Sequence, residues 1–240
     1  KFLIVDAFSE KLFGGNPAGI VILPKGSDFP SDELMVKTAA ELRYSETAFI
    51  SIMNNNEFKI RYFTPAAEVD LCGHATVGAF CALAHLGIIK KGDTCINHTL
   101  AGDLEVEVGS GYVMMDMAEP RELLTISDEN SLKELYDVLG TKYEKTTKLL
   151  PEMISTGLPD IMVPVSSKEA LNAMAPDMKA LAVLSEKYQV TGVHAFSISR
   201  EKGITAHTRN FAPLYDIDEE AATGTSSGAL TYYLYKNNLI

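Results

Sequence analysis

An internal repeat constrains this chain more than any other feature. Arg61-Tyr62-Phe63-Thr64-Pro65 returns 148 residues later as Arg209-Asn210-Phe211-Ala212-Pro213, and each copy leads through acidic residues and a glycine-bearing loop into an apolar run. At the same spacing Glu68, Val69 and Asp70 match Asp216, Ile217 and Asp218, while Gly78-Ala79 match Gly228-Ala229 at a spacing of 150. One supersecondary unit used twice in 240 residues predicts two domains of about 120 residues, each able to bury its own core. The expected halves are 1–118 and 119–240. The linker is expected in the polar stretch from Glu119-Pro120 to about Lys148, which contains one helix near Leu132 to Leu139, capped by Ser131.

Within the first half, Phe2 to Phe8 reads as a buried strand. Phe13 to Gly19 reads as a tight loop whose three glycines and proline permit close backbone approach, and it feeds a strand through Val21 to Leu23. Ser31 offers an N-cap to a helix ending near Arg43. Strands follow from Thr47 and from Phe58 to Phe63, where apolar and basic residues alternate. The stretch Asp70-Leu71-Cys72-Gly73-His74 then enters a helix that is small or apolar nearly all round, as expected of one enclosed by other elements. A hairpin is expected around Gly109-Ser110-Gly111. In the second half, strands are expected near Met153 and Ile161 around a Gly157-to-Asp160 turn. Helices near Lys168 and Met178, two more strands, and the second motif with its apolar helix complete the order.

Composition removes several classes of function. A formal charge of −11 opposes binding to nucleic acid or anionic membranes, both of which need a basic footprint. No apolar run approaches the roughly 18 residues that span a bilayer, and no charged-then-apolar leader opens the chain, so the expected location is cytoplasmic. Cys72, Cys81 and Cys95 suit a reducing compartment better than a disulfide framework. No C-x-x-C or H-E-x-x-H spacing indicates a metal site, and no G-x-G-x-x-G follows the first strand.

Two loop-to-helix copies supply two helix N-termini with unpaired N–H groups and partial positive charge, suited to holding a carboxylate. Such donors can stabilise the enolate-like charge that develops when a proton leaves a carbon next to a carboxylate. The candidate bases are Glu46, Asp70, His74, Asp218, Glu219 and Glu220, and the residue types alone do not choose among them. Read alone, Cys72 is a small buried hydrophobe, as are Cys81 and Cys95.

Four blocks in order, Phe13-Gly14-Gly15-Asn16-Pro17, Ser45-Glu46-Thr47-Ala48-Phe49, Asp70 to Thr76, and Arg209 to Pro213 with Ala222-Thr223-Gly224-Thr225, resemble the PhzF-like isomerase family of phenazine biosynthesis. The resemblance implies an α+β, diaminopimelate-epimerase-like fold. In that fold two similar domains each wrap a strand-rich, barrel-like sheet around a central helix, with the active site in the cleft between them. It implies cofactor-independent isomerisation of a small carboxylic acid, with no metal, and a homodimer. By motif, Glu46 is the general acid/base, with His74 and Glu220 as its catalytic partners. Asn16, Cys72, Gly73, Ala75, Thr76, Thr223, Gly224 and Thr225 are the substrate-binding set. Glu220 and Thr225 stand where the family usually has Asp and Ser, and Ala221 replaces the usual Pro. Related racemases use one cysteine per half, but here Cys72 is matched by Thr223, whose hydroxyl is a poor base. A carboxylate-binding protein of the same fold and a Cys72-dependent epimerase are the alternatives.

Overall fold

The computed structural model describes residues 1–144, 148–215 and 217–240. They form two compact units, Lys1–Asp116 and Met117–Ile240. The first contains β1 (Phe2–Ala7), β2 (Asn16–Ile22), α1 (Asp32–Leu42), β3 (Thr47–Ile52), β4 (Glu57–Phe63), β5 (Glu68–Val69), α2 (Gly73–His85), β6 (Thr94–Thr99), β7 (Gly102–Val108) and β8 (Val113–Met115). Its sheet runs β1-β2-β3-β4-β6-β7-β8, with β5 paired to β4. Because α2 packs on β1, β2 and β3 toward one end and on β7 and β8 at the other, the sheet curls around it. Ala75, Ala79, Phe80, Ala82 and Leu83 of α2 are buried in that core, which explains the apolar character of the helix on all sides.

The second unit contains β9 (Arg121–Thr125), α3 (Glu129–Val138), β10 (Glu152–Ser155), β11 (Pro159–Pro164), α4 (Lys168–Ala173), α5 (Met178–Tyr188), β12 (Gly192–Ile198), β13 (Ala206–Ala212), β14 (Ile217–Glu220) and α6 (Gly224–Lys236). Its sheet runs β14-β13-β12-β11-β10-β9. One face packs Ile154, Met162 and Phe196 against Ala229, Leu230 and Tyr233 of α6, and the other lies under α3, α4 and α5. The α+β class is thus realised twice, and both units share one strand plan. A β1–β2 or β10–β11 antiparallel pair continues through a parallel pair, β2–β3 or β11–β12, to an antiparallel pair, β3–β4 or β12–β13.

The repeat register differs from the one the sequence suggests. Phe63 lies opposite Thr47 and Phe211 opposite Val193, consistent with the spacing of 148. After these strands the spacing is 151. Tyr62 pairs with Val69 as Asn210 pairs with Glu220, and Arg61 binds Glu68 as Arg209 binds Glu219. Helices α2 and α6 both have 13 residues, and the hydroxyls of Thr76 and Ser227 each donate to the carbonyl four residues back. The extra residues are accommodated around a 3₁₀ turn, Pro213–Tyr215. Ile217 and Asp218 are therefore not the counterparts of Val69 and Asp70, Gly78 corresponds to Ala229, and Gly228 corresponds to Val77. Asp216 lies outside the described residues.

Other expectations need correction. β1 is an edge strand with Phe2 and Ile4 about half exposed, because Leu3, Val5 and Ala7 lie on the other, inward face. The polar stretch after Glu119 is no linker, since β9 pairs with β10 and α3 buries Leu132, Leu135 and Tyr136. Asp128 rather than Ser131 caps α3, its carboxylate accepting from the Ser131 amide at 2.9 Å. Asp160, assigned to a turn, belongs to β11.

Candidate active site

Glu46 stands immediately before β3, and its carbonyl accepts from the Gly19 amide of β2 at 3.2 Å. Cys72 is the N-cap of α2, and Gly73 and His74 form its first turn. These elements bring three side chains together. Glu46 Oε2 lies 3.5 Å from His74 Nε2, and Cys72 Sγ lies 3.4 Å from His74 Nδ1. The first separation is a close contact rather than a normal hydrogen bond, so Nε2 has no bonded partner among the described residues.

Burial shapes the electrostatics. It raises the Glu46 carboxyl above its ordinary range, while side-chain bonds with Ser45 and Cys72 pull in the opposite direction. The same burial pushes His74 down to about 4, so the imidazole is neutral near pH 7. Burial thus shifts both groups toward their uncharged forms. A carboxyl poised in this way is suited to exchange a proton with carbon.

Carboxylate, thiol and imidazole donors within 4.8 Å of one another could also hold a metal ion. His74, however, turns Nε2 to Glu46 and Nδ1 to Cys72.

The two glycine-started helices differ from the others in their caps. Ser31, Asp128, Ser167 and Asp177 each accept a backbone N–H at the starts of α1, α3, α4 and α5. Cys72 and Thr223 make no such bond. Their backbone angles are nearly the same, φ −138° and ψ 117° at Cys72 against φ −138° and ψ 129° at Thr223. The α2 and α6 amides are left without a side-chain cap, the condition for receiving an anion.

Around the start of α6 the side chains form a different cluster. Thr223 Oγ1 is 3.3 Å from Thr225 Oγ1 and 3.2 Å from Ser226 Oγ. Ser226 bonds Asp160 through a short contact, and Asn210 Nδ2 donates to Ser226 Oγ and to His194 Nδ1, both at 3.2 Å. Glu220 ends β14, half-buried.

Of the remaining sequence-predicted residues, Asn16 is buried at the start of β2, opposite Ala7. Ala75 and Thr76 are fully buried, and the Thr76 hydroxyl is taken by Tyr62 and the Cys72 carbonyl. Gly73 has room for a methyl group, its nearest neighbour being Met115 Cε at 4.0 Å, so packing within this unit does not demand glycine there. Cys72 is more than a small buried hydrophobe, because its sulfur contacts both Glu46 and His74. Sequence reasoning missed Ser45, Asp160, Ser226, Asn210 and His194 as site neighbours. The available signal was polar residues set among strand and helix residues that are otherwise apolar.

Fold and site together define a protein built on two copies of a strand-and-helix unit, with a buried Glu46–Cys72–His74 cluster in the first. A family model described as phenazine biosynthesis-like protein, PhzC-PhzF, matches residues 5–240, and the chain belongs to this family as a PhzF-like isomerase. It is 34% identical over 241 residues to the "Uncharacterized isomerase YfhB" of Bacillus subtilis, covering 98% of this chain and 80% of the relative. The crystal structure of the Bacillus anthracis phenazine biosynthesis protein, PhzF family, superposes with a TM-score of 0.85 at 27% identity, covering 97% of this chain and 79% of that one. A hydroxyproline epimerase from Agrobacterium vitis, at 12% identity and a TM-score of 0.61 over 100% of this chain and 77% of its own, shares the fold alone. No helix among the described residues is long and apolar enough to cross a membrane.

Proposed function

We propose that this isomerase moves a proton between two carbons of a small carboxylic acid, with Glu46 as the single general acid/base. The supporting observation is the Glu46–Cys72–His74 cluster at the uncapped start of α2. Ionised Glu46 takes a proton from a carbon conjugated with the substrate carboxylate, and the electron pair left behind delocalises onto the carboxylate oxygens. Helix-start amides stabilise that charge, and neutral Glu46 then returns the proton to a second carbon. Both steps are proton transfers and the double bond only shifts, so the cycle balances without a redox partner or cofactor. His74 orients the carboxyl, and Glu220 and the Thr223-to-Thr225 start of α6 hold and polarise the substrate.

A two-thiol racemase is disfavoured because the counterpart of Cys72 is Thr223, whose hydroxyl does not ionise near neutrality. The exposed edge of β1 motivates a homodimer, for which light scattering is the test. The test of the chemistry is Glu46→Gln, which preserves shape and removes the base. Solvent deuterium should enter carbon positions of substrate with the parent enzyme and fall by about 10³-fold in the variant. Unchanged incorporation would refute the role of Glu46.

A further inference from the structure

The second unit contains a buried carboxylate that the proposed chemistry does not use. Strand registers relate it to Glu46. Gly19 pairs with Thr47, which faces Phe63, and Ile161 pairs with Val193, which faces Phe211. Glu46 therefore corresponds to Gly192, and Ala18 to Asp160. Each unit has one carboxyl at this level of its parallel strand pair, but on opposite strands. No side chain can replace Gly192, because a Cβ there would lie 1.9 Å from the Phe211 carbonyl oxygen. Its amide lies where it favours the ionised form of Asp160.

Asp160 is only 2% exposed, and its Oδ1 has no hydrogen-bond partner among the described residues. Its Oδ2 bonds Ser226 Oγ. The donors are ordered from one fixed point. The Asn210 amide nitrogen can only donate, and it donates to Ser226 Oγ and to His194 Nδ1. Ser226 then has one hydrogen and one acceptor site to divide between Asp160 and Thr223. If Asp160 is ionised, Ser226 must donate to it, Thr223 donates inward to Ser226, and Thr225 donates inward to Thr223. If Asp160 is protonated it donates to Ser226, Ser226 donates to Thr223, and the hydroxyls at the start of α6 are free to donate outward.

We propose that Asp160 is a positioning residue which, through Ser226, sets whether the Thr223 and Thr225 hydroxyls donate to a substrate carboxylate at the start of α6. The proposal rests on the reading above that this helix start receives such a carboxylate. Other groups packed around Asp160 do not supply the charge. His194 on β12 is neutral, with burial holding it down to about 4, and Glu152 on β10 is paired with Lys236 at 2.9 Å. Asn210 on β13 and Thr223 and Ser226 on α6 carry no charge. Burial raises Asp160 to about 6, within reach of a titration near neutrality.

The test is an NMR titration from about pH 5 to about pH 8, following Thr223 and Thr225 amides and methyls, with benzoate as the carboxylate probe. In the parent protein both threonines should titrate with one midpoint, and benzoate binding should weaken about tenfold as pH rises through it, the equivalent of one hydrogen bond. Asp160→Asn should abolish both dependences. Ser226→Ala, which leaves Asp160 in place and disconnects it, should do the same, and it serves if the first variant fails to fold. Flat threonine signals in the parent, or the same titration in either variant, would overturn the proposal. Titrating threonines without benzoate-induced shifts at residues 223–226 would overturn the carboxylate assignment. Failure of the isomerase reading shows separately, as deuterium incorporation that does not depend on Glu46.

Discussion

The starts of α2 and α6 have almost the same backbone and very different chemistry. Both helices begin with glycine after an uncapped residue of nearly equal φ and ψ, and both follow a strand bearing an Arg–Glu ion pair. At α2 the side chains are Glu46, Cys72 and His74, a carboxyl raised by burial beside a thiol and a neutral imidazole. At α6 they are three hydroxyls leading down to Asp160, a set that can direct hydrogen bonds. The two units keep the same uncapped helix start and differ in the few side chains placed around it.

Gly192→Ala tests that comparison most drastically. A Cβ would strike the Phe211 backbone, so we expect a loss of about 3 kcal/mol or more, read by denaturant unfolding; a small effect would mean that β12 and β13 separate easily. Next in size, His74→Ala should lower kcat about 100-fold by freeing Glu46 to turn, without a matching loss of thermal stability. Asp160→Asn should stabilise the protein near neutral pH. Because the folded-state value is raised from 3.8 to about 6, burial of the carboxylate costs stability as pH rises through that window, up to about 3 kcal/mol above it. The gain in Tm should therefore shrink as pH falls from 6 toward 3.8, and a gain independent of pH would point to packing instead. Gly73→Ala should leave Tm nearly unchanged yet raise KM, since there is space for the methyl only until a ligand approaches. Cys72→Ser should be the mildest, a change of a few-fold in kcat, whereas abolition of turnover would favour a thiol base.

The pH profile sharpens the contrast further. Activity should rise with pH through the raised Glu46 value, placing the acid limb above the ordinary carboxylate range. His74 should add no limb near neutrality. It contributes to stability in the opposite direction, since the folded state resists its protonation and stability is lost as pH falls from 6.5 toward 4.

Much of this was legible in the sequence because local patterns coincide with local structure. Ser31 does cap α1, Gly87 follows the end of α2 at φ 68°, and the two apolar helices lie where their composition places them. What escaped was set by tertiary pairing. The strand pattern of β6 is broken by Asn97 and His98, yet Asn97 is fully buried and donates to the Tyr62 hydroxyl. The glycines at 78 and 228 suggest a register one residue from the one the strand pairs and helix starts define, since small residues occur at several neighbouring positions of α2 and α6. Asp160 follows a proline, the composition of a turn, and only its pairing with Gly192 reveals it as a buried strand residue. At the site, Glu46, Cys72 and His74 all lie in the family motifs, but the contact of the Cys72 sulfur with Glu46, 26 residues away in the chain, is a property of the fold.

Carbon-bound deuterium incorporation, measured side by side for the parent enzyme, Glu46→Gln and Glu220→Gln with one turned-over carboxylic acid, tests the division of labour most directly. The expected result is incorporation lost only with Glu46, and reduced but persisting with Glu220. Persistence in Glu46→Gln, or loss confined to Glu220→Gln, would place the base in the other unit and contradict the assignment.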